Sequence, residues 1–123
     1  MRNDKKNIIV EKTTEFSLLI IDFAELLESK RKYIIASQIL KSGTSVGANI
    51  REAQNGESKT DFIHKMKIAA KEADETEYWL FLCQESKHYP DCNDLQEKLT
   101  VIQKILSKII SSSKNKFSNL QIS

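Results

Sequence analysis

The side chains able to do chemistry in this chain are few. Glu85 with His88 and Asp61 with His64 have the acid-x-x-His spacing that helical bundles use to hold paired metals, where two such motifs meet further glutamates at one level. Both pairs fall on one predicted helix, about 24 residues and so roughly 36 Å apart, and cannot share an ion within one subunit. No metal site is expected. Cys83 and Cys92 are the two cysteines; without an export signal they read as reduced, and no histidine is placed to activate Cys83, which falls on an apolar helix side as a small hydrophobe. The chain has no phosphate-cradling glycine loop, zinc-ligand set or Ser/His/Asp arrangement. No catalytic residue and no cofactor are expected.

The unusual segment is SGTSVGANIREA, Ser42 to Ala53. Gly43 and Gly47 lie inside a predicted helix that each weakens by about 1 kcal/mol relative to alanine, so close packing must offset them. At 100° per residue Ser42, Ser45, Asn49 and Glu52 form one polar ridge beside Val46 and Ile50. Further on, Glu72 and Glu75 sit among Ile68, Trp79 and Leu82. Buried polar groups need partners, and the simplest pairing sets the second helix against the third, the small residues allowing close approach and Ser45 and Asn49 reaching the two glutamates. Paired carboxylates acting as general acid and base, or a contact between subunits, are the other readings of the same residues.

The elements that must position these residues follow from composition. In 123 residues, three Gly and one Pro cannot serve the tight turns of a sandwich or barrel, while the Lys, Glu, Leu, Ile and Ala content favours long helices. The length suits one domain, 1–123. Breaks fall at the basic run Lys30, Arg31 and Lys32, at Asn55-Gly56, and at His88 to Asp91 around Pro90. Between them apolar residues recur every three or four positions: Phe16, Leu19, Ile20, Phe23, Leu26 and Leu27; Ile35, Ile39, Val46, Ile50 and Ala53; Phe62, Met66, Ala69, Ala70, Ala73, Thr76, Leu80 and Cys83; and Leu95, Leu99, Ile102, Leu106, Ile109 and Ile110. Helices are expected over roughly 8–31, 33–55, 59–87 and 92–112, with Gly56 as a left-handed C-terminal residue, Ser58 to Asp61 as a cap, and a flexible tail from about Ser112. Short links make sequential helices antiparallel, so the fold expected is an all-α, up-down-up-down four-helix bundle.

Charge and surface apolarity bear on partners. The net charge is only +2, yet after Glu97 every charge is positive (Lys98, Lys104, Lys108, Lys114, Lys116), and Lys30, Arg31 and Lys32 form a second basic run. These are the candidate nucleic-acid contacts, against the plainer reading of solvated helix faces. Leu18 and Ile21, with Ile68, Trp79 and Leu82, lie outside or at the edges of the main stripes, as do Val101 and Ile105. Second stripes mark partner surfaces, and a homo-oligomer is expected. The chain has no membrane-length apolar run and no signal-peptide pattern, so a cytoplasmic location is expected.

The segment from Ser42 to Leu82, SGTSVGANIREAQNGESKTDFIHKMKIAAKEADETEYWLFL, resembles the four-helix bundle family encoded in intervening sequences of bacterial 23S ribosomal RNA genes. Thr44 to Glu52 resembles that family's TSVGANI-x-E element, and Lys67 to Leu80 its K-I-A-x-K-E-A-x-E-T-x-Y-W-L element. The likeness extends over the whole chain. The resemblance implies an up-down bundle assembled in a ring, commonly a homopentamer, with no catalytic residues. A related branch, the accessory protein of diversity-generating retroelements, is similar to a basic pentameric barrel that binds nucleic acid and a reverse transcriptase. The function expected is therefore that of a non-enzymatic, ribosomal-protein-like oligomer contacting RNA, ribosomal RNA included, through its backbone. A protein-binding scaffold is the alternative.

Overall fold

Four helices follow one another: α1 (Ile8–Ser29), α2 (Tyr33–Ala53), α3 (Lys59–Glu85) and α4 (Asn93–Ile122). The computed structural model describes residues 7–122, with side chains from 7 to 115. Each helix packs on the next and α1 closes on α4, giving the all-α, up-down-up-down antiparallel bundle that the periodicity implies. Among the described residues no helix is long and apolar enough to cross a membrane.

The core is the sum of four stripes. Ile9, Phe16, Ile20, Phe23 and Leu27 of α1 meet Ile39, Val46 and Ile50 of α2, Met66 and Leu80 of α3, and Leu99, Ile102 and Leu106 of α4, all buried. Thr13 and Thr76 sit within these stripes without penalty, because each hydroxyl bonds a carbonyl one turn earlier: Thr13 Oγ1 to Ile9 at 2.7 Å and Thr76 Oγ1 to Glu72 at 2.8 Å. Leu26, expected inside, is exposed, since its position falls on the flank of the stripe away from α2.

Glycine sets how near α1 and α2 can come. A Cβ on Gly43 would stand 2.9 Å from Cγ2 and 3.0 Å from Cγ1 of Ile20, atoms at the branched root of a fully buried side chain that is stiff about χ1. At Gly47 the nearest atoms are Ser17 Oγ at 3.2 Å and Thr13 Cβ at 3.4 Å. Both glycines therefore face α1, not α3 as the sequence reading had it. They lie on one flank of the Val46 ridge, and Ser42, Ser45 and Asn49 lie on the other.

The links depart from expectation in three places. α1 stops at Ser29 in a Schellman turn: Arg31 N–H donates to Glu28 O and Lys32 N–H to Leu27 O, both at 2.9 Å. The left-handed residue of that turn is Arg31, at φ 64°. Gly56, expected to be left-handed, is not; α2 runs out through tight bonds such as Gly56 N–H to Ala53 O at 3.1 Å, which keep the chain right-handed. α4 does not end near 112 but continues to Ile122, because serine is only mildly unfavourable in a helix and no Gly or Pro interrupts the run. The other ends, Ala53 and Glu85, fall within two residues of those expected. Ser58 caps α3 as anticipated, its Oγ accepting from Asp61 N–H at 3.1 Å.

Two outcomes follow for stability. Gly43→Ala gains about 1 kcal/mol of helix propensity but overpacks Ile20 by roughly 1 to 3 kcal/mol, so its urea midpoint should fall, whereas Gly47→Ala, with softer contacts, should stay within about 0.5 kcal/mol of the parent. Arg31→Gly removes a left-handed strain of roughly 1 to 2 kcal/mol at a backbone-entropy cost of about 0.5 to 1 kcal/mol, and should raise the midpoint.

Candidate functional site

The polar residues of α2 and α3 do not make one network. Ser42 is buried, and its Oγ lies 2.9 Å from Thr76 Oγ1; this is the hydroxyl pair that joins the two helices. Thr76 also reaches the Glu72 carbonyl, so one proton from each hydroxyl satisfies the set. Ser45 Oγ instead donates to Lys41 O at 2.6 Å, and Asn49 Nδ2 to Ser45 O at 2.8 Å, both within α2. Glu52 pairs with Lys65 of α3 at 2.7 Å on the exposed surface, and Glu75 accepts from Trp79 Nε1 at 3.2 Å within α3. Among the described residues no hydrogen bond joins Ser45 or Asn49 to Glu72 or Glu75. The reason is depth: Ser42 alone of the ridge is fully buried, and groups nearer the surface take local partners or water.

Nor does the structure assemble a catalytic constellation from the sequence candidates. Among the described residues no cluster of three His, Cys, Asp or Glu is arranged to hold a metal ion; Asp61, His64, Glu85 and His88 are all exposed. Cys83 and Cys92 are free and buried. Burial, reinforced by neighbouring Cys92, pushes the Cys83 thiol up to about 12, and burial with nearby Asp91 pushes Cys92 to about 11. Both stay protonated near neutrality and are weak nucleophiles. Cys92 donates its thiol to Leu80 O at 3.3 Å. The residue that secures this turn is Gln84, whose Nε2 donates to Asp91 Oδ1 at 2.8 Å and whose Oε1 accepts from Cys92 N–H at 2.7 Å. Nothing in its spacing marked it.

The apolar interface candidates separate into two groups. Leu18 and Ile21 are exposed on α1, while Ile68, Trp79 and Leu82 of α3 are half-buried, with Trp79 packed against the core. Sequence reasoning missed other exposed apolar side chains, among them Ile34, Leu40 and Phe81. They lie on outward arcs of helices whose inner arcs are already filled.

The basic candidates also separate. Lys98 is held by Asp94 at 3.7 Å in a groove that Lys12, Glu15 and Glu97 also line, so its charge is largely met. Lys104 and Lys108 are exposed on α4, roughly 16 and 22 Å along the helix from Asn93. Lys30, Arg31 and Lys32 sit at the end of the bundle where the α3–α4 turn also arrives, and Lys32 Nζ lies 4.7 Å over the Tyr89 ring. There Arg31, Lys32, Tyr33, Ile34, Ile35 and Tyr89 line a shallow depression of about 320 Å³. The basic run was legible in the sequence; its two tyrosines were not singled out, although Tyr33 directly follows it. Lys116 lies outside the residues whose side chains are described.

The helix-joining hydroxyl pair can be tested directly. Thr76→Val keeps the shape but strands Ser42, at a cost of roughly 1 to 3 kcal/mol. Asn49→Leu, whose partner is local and partly solvated, should change stability by less than about 0.5 kcal/mol, both read from urea unfolding.

Comparison with known proteins places the chain. The family described as 23S rRNA-intervening sequence protein matches residues 5–108. A solved structure, that of a protein of unknown function from the S23 ribosomal protein family of Bacteroides thetaiotaomicron, is 40% identical with a TM-score of 0.78, the alignment covering 84% of this chain and 98% of that one. No curated protein matches. With the bundle, the TSVGANI-x-E element and a match over most of its length, the chain belongs to the 23S rRNA-intervening sequence protein family.

Proposed function

We propose that this protein is a non-enzymatic, cytoplasmic homo-oligomer, a pentameric ring, that contacts RNA through phosphate-directed cations. The observation that carries the reading is the end of the bundle, where Arg31 and Lys32, next to the exposed Lys30, line a depression with no acidic residue in its lining. Repeated around a ring, several weak phosphate contacts add by multivalency. Lys104 and Lys108 offer a second, separate set. The exposed Leu18, Ile21 and Leu40 support assembly through the outward faces of α1 and α2, and equally favour the second reading, a scaffold whose partner is another protein.

The test combines size and salt. Light scattering should show several times the 14.1 kDa protomer. Anisotropy of a labelled structured RNA should show sequence-indifferent binding that weakens steeply between about 50 and about 200 mM salt, because each neutralised phosphate releases counterions. Joint alanine replacement of Lys30, Arg31 and Lys32 should flatten that slope more than replacement of Lys104 and Lys108. An intact oligomer that binds no RNA at the lower salt overturns the RNA reading in favour of the scaffold.

A further inference from the structure

We propose that the junction of α1 and α2 holds an unpaired nucleotide of single-stranded RNA, its base stacked on the Tyr33 ring and its phosphates met by Arg31 and Lys32. The inference rests on the RNA reading above and narrows it to a strand class and a contact.

Tyr33 is 61% exposed and Ile34 79% exposed, an uncommon degree of exposure for large side chains that open a helix. They are outside because, at 100° per residue, both fall away from the Ala36, Ile39 and Val46 stripe by which α2 faces the core. The Schellman turn places Arg31 in the left-handed region, where glycine would fit without strain, so a guanidinium is displayed where the backbone favours its absence. Lys32 lies over one face of Tyr89, and Tyr89 is packed against the core; that ring is a wall, and the Tyr33 ring is the one free to take a partner. The lining of the depression holds two cations, two aromatic rings and two isoleucines. Two other cations have carboxylate partners, Lys98 facing Asp94 and Lys65 facing Glu52.

An aromatic face flanked by cations recognises a base and its backbone together, and it takes any base because every base has a π-face. A duplex keeps its bases stacked inside and offers this site only phosphates. The occupant that uses both halves of the site is an unpaired nucleotide, in a loop or at an end.

The experiment uses the full chain and three labelled probes of about 12 nucleotides: oligouridylate, an abasic strand of equal phosphate number, and an RNA duplex. Oligouridylate should bind more tightly than the abasic strand. Tyr33→Ala should weaken oligouridylate roughly 5- to 100-fold while leaving the abasic strand and the duplex unchanged, and Tyr33→Phe should retain parental affinity because the ring remains. Arg31→Gly should weaken all three probes and reduce the single-strand salt slope by about 0.7. Circular dichroism checks that each variant is folded, which the exposure of both residues favours. Equal binding of oligouridylate and abasic strand, or an unchanged affinity in Tyr33→Ala, overturns the stacking contact while the phosphate-directed reading stands. Absence of binding by all three probes at low salt, with the oligomer intact, overturns both.

Discussion

The close approach of α1 to α2 at Gly43 is the contact on which the rest of the bundle depends. Ile20 occupies the volume a side chain on Gly43 would need, so the register of the two helices is set to within a fraction of a turn. That register positions the Schellman turn above them, and through it the exposed start of α2. Asn7 and Gln54 join the opposite end of the same pair, Nδ2 donating to Oε1 at 2.7 Å. A helix pair held at both ends and in the middle offers α3 a rigid surface, and the remaining contacts are fitted to it.

Against that surface α3 presents small residues, Ala69 and Ala73, and one buried hydroxyl, Thr76. The Ser42–Thr76 contact adds little net energy, since folding exchanges water for protein partners. Its value is in specificity: a shift of α3 by one turn would leave the buried Ser42 hydroxyl without its partner, a penalty larger than the bond itself. The carboxylates of the same face lie further out, where solvent screens them. Exposed ion pairs such as Lys65–Glu52 tune the surface without deciding the fold.

The functional reading depends on the contrast between paired and unpaired charge. A net charge near zero says little about nucleic acid, because attraction depends on local potential and not on the sum. In this bundle Glu52 answers Lys65 and Asp94 answers Lys98, while the α1–α2 junction gathers cations and aromatic rings around a hollow with no acid in its lining.

The helices, the core stripes, the Ser58 cap and the family were all legible in the sequence, because each depends on the spacing of residues along one helix or on a local motif. Periodicity placed Ser42 on a ridge beside Val46. It could not say which flank of Val46 meets α1 and which meets α3, because that depends on the hand in which the four helices wind around the core, and an angle about one axis carries no information on that hand. Arg31 in a glycine-favouring conformation, Gln84 holding the α3–α4 turn and Lys32 over Tyr89 were invisible for a related reason: each is a compromise between chain ends whose meeting place the packed helices dictate. Spacing along the chain was enough for four amphipathic helices and their order; which neighbours they share and which side chains gather at the end of the bundle came from packing, since a close-packed core leaves one relative placement of its helices and the links must conform to it.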